Sequence, residues 1–192
     1  MKKLALAILA LTFGLTSMAG GNDYKVDGKA SKIKWTGEKV TGKHEGFINA
    51  NGGTISIKDN AISGTVTVDM NSMTCTDLQG EYGDKLIGHL KSDDFFNTAS
   101  HPTATFTFKK WKQLKDGQFE IIGDLTIKGK TNPSSFVAKI EQTDSQFKLV
   151  ADVKFDRSKY DIRYGSGSFF ENLGDKTIYD DVLLNLEIIA NK

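Results

Sequence analysis

Residues 146–156 read Gln146-Phe147-Lys148-Leu149-Val150-Ala151-Asp152-Val153-Lys154-Phe155-Asp156. Phe147, Leu149, Ala151, Val153 and Phe155 take every second position, with Lys148, Val150, Asp152 and Lys154 between them. Successive side chains of an extended backbone point to opposite faces, so this pattern describes a strand with one apolar row. The same alternation recurs on both sides. Ile62, Gly64, Val66, Val68 and Met70 share a face opposite Ser63, Thr65, Thr67 and Asp69; Ala104, Phe106 and Phe108 alternate with Thr103, Thr105 and Thr107. Val182, Leu184, Leu186 and Ile188 form the last such face. Weaker strands are expected at Ile33–Gly37, Phe47–Asn49, Thr54–Lys58, Gln118–Lys128 and Ser134–Glu141. Turn residues separate them at Asn51-Gly52-Gly53, Asp59-Asn60, Asp116-Gly117, Asn132-Pro133 and Thr143-Asp144-Ser145. Short strands at this spacing predict an antiparallel barrel or sandwich.

One stretch departs from the pattern. Leu78, Tyr82, Leu86, Ile87 and Leu90 are spaced as on one helix face, and Asp77 is placed to cap it. Gly80, Gly83 and Gly88 weaken that helix, so a short one is expected.

The chain has 192 residues, 39% hydrophobic and 26% charged, with a net charge of +1. That composition fits one packed domain and gives no basic face for nucleic acid. At the N-terminus, Lys2 and Lys3 precede an apolar run from Leu4 to Leu15, then Ser17-Met18-Ala19. This is the pattern of a cleavable export leader over residues 1–19, with one domain over 20–192 and a periplasmic or secreted destination. The run is short for a membrane anchor, and no other segment is expected to span a membrane. Removing the leader and its two lysines takes the charge to −1. Cys75 is the single cysteine, so it is expected to be unpaired, buried and reduced.

Catalytic patterns are weak. His44, His89 and His101 lack metal-binding spacing, Gly165-Ser166-Gly167-Ser168-Phe169 does not make a nucleophile elbow, and Gly129-Lys130-Thr131 reads as a hairpin turn. Asp93-Asp94 and Asp180-Asp181 are sequence neighbours, which suits solvent or caps better than a shared proton.

Three motifs resemble YceI-like proteins. The first is His89-Leu90-Lys91-Ser92-Asp93-Asp94-Phe95-Phe96-Asn97 with His101-Pro102-Thr103-Ala104-Thr105-Phe106. The second is Gly123-Asp124-Leu125-Thr126-Ile127-Lys128-Gly129-Lys130-Thr131 followed by Pro133, and the third is Phe155-Asp156-Arg157-Ser158-Lys159-Tyr160-Asp161-Ile162. The Ser31–Phe47 region, with Trp35, also fits. Lys128 and Cys75 depart from that pattern and leave the headgroup preference open.

The resemblance implies an all-β fold: an extended, lipocalin-like, eight-stranded antiparallel barrel with one short helix after the early strands. It implies a polyisoprenoid ligand, including isoprenoid quinones, and no other cofactor. Such a tail binds by apolar burial, worth about 0.8 kcal/mol per methylene and roughly 3–4 kcal/mol per five-carbon unit before ordering costs. From the alternation, the tail lining is expected at Phe47, Val66, Val68, Phe106, Phe108, Phe136, Leu149, Val153, Phe155 and Leu184, with Phe95 and Phe96 closing one end. His89, Asp93, Arg157, Tyr160, Arg163 and Tyr164 are headgroup candidates at the mouth; for Arg157 and Asp156 a salt-bridged turn is favoured over ligand contact. The expectation is an exported carrier or store for which transient membrane contact is open, as is its oligomeric state. The alternatives are an exported enzyme acting on a lipid, suggested by the proximity of His89, Asp93 and Asp94, and a ligand-free stress-response barrel.

Overall fold

The computed structural model describes residues 21–192, so the leader read at residues 1–19 lies outside the described residues. Nine strands follow in order: β1 (Asn22–Val26), β2 (Lys32–Lys39), β3 (Gly42–Lys58), β4 (Ala61–Asp69), β5 (Thr103–Gln113), β6 (Gln118–Ile127), β7 (Lys130–Gln142), β8 (Gln146–Asp156) and β9 (Ile178–Asn191). One helix, α1 (Glu81–Lys91), lies between β4 and β5. Strands β2 to β9 pair antiparallel in the ring β2-β9-β8-β7-β6-β5-β4-β3, and β3 returns to β2. This closes the expected eight-stranded barrel. β1 pairs with β3 at Thr54–Ile57 and with β9 at Ala190–Asn191. It therefore extends the place of β2 in the wall and adds no ninth position.

Several sequence expectations change. Asn51-Gly52-Gly53 is not a turn between two strands but a bulge within the 17-residue β3. Ala50 pairs with Val68 and Gly53 with Val66, so one extra residue sits in β3. An extra residue switches which positions face inward. Before the bulge Ile48 and Ala50 are buried; after it the buried residue is Ile55. Phe47 consequently lies on the outside, 44% exposed. Asn132-Pro133 also lies within a strand, because the chain reverses earlier, at Lys128-Gly129, where both residues have positive φ.

Asp77 does not cap α1. The helix starts four residues later, after Gly80, and the Asp77 carboxylate instead receives the Glu45 amide at 2.8 Å, His44 Nδ1 at 2.8 Å and the Cys75 thiol at 3.3 Å. Thr74 and Thr76 donate their amides to the Phe47 and Glu45 carbonyls, each at 2.9 Å. The segment 70–77 thus runs beside the first half of β3 and completes the wall where β4 has ended. Cys75 is free and half-buried; partial burial and the nearby Asp77 carboxylate push its thiol pKa up, away from a reactive thiolate.

The interior has two parts. At the hairpin end of the barrel, Tyr24, Ile55, Ile121, Phe147 and Ala190 are fully buried in a solid core. The Tyr24 hydroxyl donates to the Thr143 carbonyl at 2.8 Å, so the phenol is buried without an orphaned oxygen. At the other end, Leu90, Phe95 and Phe96 from α1 and the turn after it are buried across the opening. Among the described residues no helix is long and apolar enough to cross a membrane.

Two glycines give opposite predictions. A Cβ on Gly46 would lie 1.8 Å from the Thr74 carbonyl oxygen and 2.9 Å from Trp35 Cζ2. Gly46→Ala should therefore lower stability by about 1–3 kcal/mol in chemical denaturation. Gly88 lies exposed in α1 with nothing within 4 Å of such a Cβ, so Gly88→Ala should raise stability by roughly 0.5–1 kcal/mol. Partial burial opposes the charge on Asp77, but the Glu45 amide, His44 and Cys75 hold its pKa down at about 2. Its contribution is present above its ordinary pKa near 4 and is lost as the pH falls toward 2. Asp77→Asn should remove that increment from the pH dependence of the melting temperature.

Candidate functional site

Between the packed core and the helix end lies an almost wholly apolar cavity of about 170 Å³. That is more than ten times the roughly 10–15 Å³ needed to hold one water. The alternation of the strands supplies its wall, because every second residue of each strand faces inward.

Of the twelve residues expected to line the tail site or close its end, eleven line the cavity: Val66, Val68, Phe95, Phe96, Phe106, Phe108, Phe136, Leu149, Val153, Phe155 and Leu184. The rings of Phe106, Phe108 and Phe136 form one cluster, with centroids 5.0 Å apart for Phe106–Phe108 and 5.3 Å for Phe106–Phe136. Edge-on and tilted packing of this kind adds to burial and holds the rings in place. Phe47 and the headgroup candidates Tyr160 and Tyr164 lie elsewhere. Phe47 is outside because of the β3 bulge. Tyr160 is buried against Phe155 at 5.8 Å but does not line the cavity. Burial and the Asp156 charge raise the pKa of its phenol, which stays neutral. Tyr164 is 49% exposed and packs its ring against His89 at 4.3 Å, on a more open outer pocket shared with Asp93, Asp94, Lys128 and Arg163.

The alternation analysis missed Trp35, Met70, Met73 and Ile178, which also line the cavity. Trp35 had a readable signal, since Ile33 and Trp35 share a strand face. Met70 stood on the same apolar face as Val66 and Val68, whereas Met73, in the non-repetitive segment after β4, had no such signal.

Arg157 is the charged side chain of the lining and is fully buried. It starts a 3-10 turn, Arg157–Tyr160, at the end of β8. Its Nε donates to the Tyr179 carbonyl at 3.2 Å, Nη1 to the Ile162 carbonyl at 2.9 Å, and Nη2 to the Ile178 carbonyl at 3.0 Å. Asp180 Oδ1 lies 3.2 Å from Nη2 as an ion-pair partner without a directed hydrogen bond. Asp180 Oδ2 receives the hydroxyls of Ser166 at 2.9 Å and Ser168 at 2.7 Å. The expected salt-bridged turn is thus a buried ion pair with Asp180. Asp156 instead accepts the Ser158 amide and hydroxyl at 2.9 and 2.6 Å. Desolvation lowers the Arg157 pKa against the opposing fields of Asp180 and Asp156, and the guanidinium stays charged. Phe95 covers it, with Cζ 5.2 Å from the ring centroid. These bonds tie the end of β8, the segment 161–177 and the start of β9 into one cap.

His89, whose proximity to Asp93 and Asp94 suggested an enzyme, packs between the rings of Phe95 and Tyr164, and its Nε2 is buried without a hydrogen-bond partner among the described residues. His44 pairs with Asp77, and His101 lies beside Gly129. Among the described residues no three His, Cys, Asp or Glu side chains form a group able to hold a metal ion.

Comparison with known proteins places this architecture. Residues 24–190 match the YceI-like domain. Protein YceI of Escherichia coli O157:H7 is 35% identical over 146 residues, covering 70% of this chain and 72% of that protein. Among solved structures, Burkholderia cenocepacia BcnA superposes with a TM-score of 0.67 at 20% identity, covering 86% of this chain and 99% of the other. A polyisoprenoid binding domain from Saccharophagus degradans, implicated in plant cell wall breakdown, superposes with a TM-score of 0.65 at 15% identity over 88% and 97%. At those identities the structures share the fold, while the domain match and the E. coli relative fix the kinship: this chain belongs to the YceI-like family.

Proposed function

We propose that the protein is an exported, non-catalytic carrier or store that holds the tail of a polyisoprenoid lipid, such as an isoprenoid quinone, in its barrel. The observation that carries this reading is the apolar cavity, walled by aromatic and branched side chains, beside the buried core of the same barrel. A tail without hydrogen-bonding groups gains only from apolar burial, and this lining offers little else. Phe and branched residues provide that area at low cost in rotamer freedom. The polyisoprenoid binding named for the S. degradans structure supports the same ligand class. The leader-like residues 1–19 support export. The cavity also favours this reading over a ligand-free barrel, whose interior would be filled to native density. The lipid is the cargo, and no covalent step is required of the protein.

Native mass spectrometry of the protein purified without detergent, followed by organic extraction, tests this directly. An added mass that releases a polyprenyl compound is the expected result. A bare mass that stays bare after incubation with an isoprenoid quinone would overturn the reading.

The chain also carries its own reporter. Trp35 lines the cavity, whereas Trp111 stacks on Phe119 away from it. A bound quinone should quench the fluorescence of Trp35, and Trp35→Phe should abolish most of that response. Phe106→Asp places a carboxylate in the lining, where an uncompensated charge costs several kcal/mol, and should raise the Kd by about a hundredfold or more. The surface change Lys110→Ala should leave the Kd unchanged.

A further inference from the structure

The barrel wall is not zipped along its whole length. β7 and β8 pair only at Ala138–Gln142 with Phe147–Ala151. Beyond that, residues 130–137 of β7 pair with β6 alone, and residues 152–156 of β8 pair with β9 alone. A comparable gap beside β3 is filled by the backbone of 70–77. Here, among the described residues, the polar link is a single side-chain bond at the upper end, from Asn132 Nδ2 to the Lys159 carbonyl at 3.1 Å.

The sequence keeps this seam from closing. Ile127 and Lys130 are the closing pair of the Lys128-Gly129 hairpin, and Asp124 faces Pro133 three positions further along. Hydrogen-bonded and non-bonded pairs alternate along an antiparallel ladder, so Pro133 falls at a non-bonded pair with its nitrogen turned toward β8. A proline there offers no N–H to a neighbouring strand, the usual reason for proline at a sheet edge.

The cavity reaches this seam. Ser134 and Phe136 line it from β7, and Val153 and Phe155 from β8. Ser134 and Phe136 are only half-buried, whereas Ala138 and Ile140 on the zipped half of the same strand are buried. The other ways in are obstructed. The hairpin end is solid core, and the helix end is held by the Arg157 bonds to three backbone carbonyls of the cap.

We propose that the β7–β8 seam is the passage by which the lipid enters and leaves, sideways through the wall, while the helix-capped end stays shut. This rests on the lipid-binding reading above. Passage needs only the banks of the seam to part. Over residues 130–137 and 152–156 the two strands share no paired register, so no ladder has to be unzipped there. The tail can slide in along its length, and the headgroup need not cross the apolar interior, where desolvation would be costly.

Staples test the passage in a Cys75→Ser background. Continuing the β7–β8 register sets Ser135 opposite Lys154, both exposed. The seam staple is Ser135→Cys with Lys154→Cys, joined by a cleavable bifunctional thiol reagent and verified by mass. The control staple is Lys139→Cys with Val150→Cys, an exposed pair in the zipped half. Trp35 quenching follows the transfer of a long-chain isoprenoid quinone to and from neutral phosphatidylcholine vesicles. The seam staple should slow loading and release alike by about tenfold or more, as expected when a gating motion is blocked. Reductive cleavage should restore both rates, equilibrium occupancy should be unchanged, and the control staple should have no effect. Unchanged rates with the seam staple, or equal slowing by both staples, would overturn the passage and point to the capped end. Failure of the unstapled protein to take up quinone at all would overturn the lipid-binding reading and the passage with it.

Discussion

One extra residue in β3 governs how this barrel is put together. Without the bulge at Asn51-Gly52, a 17-residue strand would present the same parity of positions to the interior from end to end. With it, Ile48 and Ala50 face inward in the first half and Ile55 in the second. The strand can then serve two sets of neighbours: β2 and the segment 70–77 at the helix end, β1 and β4 at the hairpin end. The change of neighbours coincides with the division of the interior into cavity and solid core.

The second constraint is a buried charge. A guanidinium with no exposure must find acceptors for its N–H groups, and the cost of failing would be several kcal/mol. Arg157 meets that demand with three backbone carbonyls and the carboxylate of Asp180, which Ser166 and Ser168 hold in turn. The demand gives shape to segment 161–177, which has little regular secondary structure of its own. The same residue brings the one fixed positive charge to the edge of an otherwise apolar cavity.

Much of this was legible in the sequence. β4, β5, β8 and β9 were plain from period-two alternation, and Phe95 and Phe96 close the helix end as their place after α1 suggested. What escaped has identifiable physical causes. Phe47 was assigned inward because a strand read as only Phe47–Asn49 cannot choose between Phe47 and Ile48, and Asn51-Gly52-Gly53 was read as a turn where β3 has a bulge. β1 escaped because five residues give only Tyr24 and Val26 as inward positions. Asp77 has the side chain of a helix cap, yet the amide of Glu45, remote in sequence, claims its carboxylate. Asn132-Pro133 has turn chemistry, but its proline marks a free strand edge. Whether inward Phe residues fill a core or wall a cavity depends on what stands opposite them across the barrel, and alternation along a strand holds no such information.

The division of the interior has a bearing on how sequences of this fold can diverge. The fully buried side chains at the hairpin end anchor the fold without help from any occupant of the cavity. Side chains that line the cavity border open space on one side, so changes of size there can be taken up with less repacking than the same changes in the solid half. Drift can therefore concentrate in the lining and retune what it accommodates, while Tyr24, Ile55, Ile121 and Phe147 stay under steric constraint. A barrel built this way can change its cargo by ordinary substitution long before it risks losing its architecture.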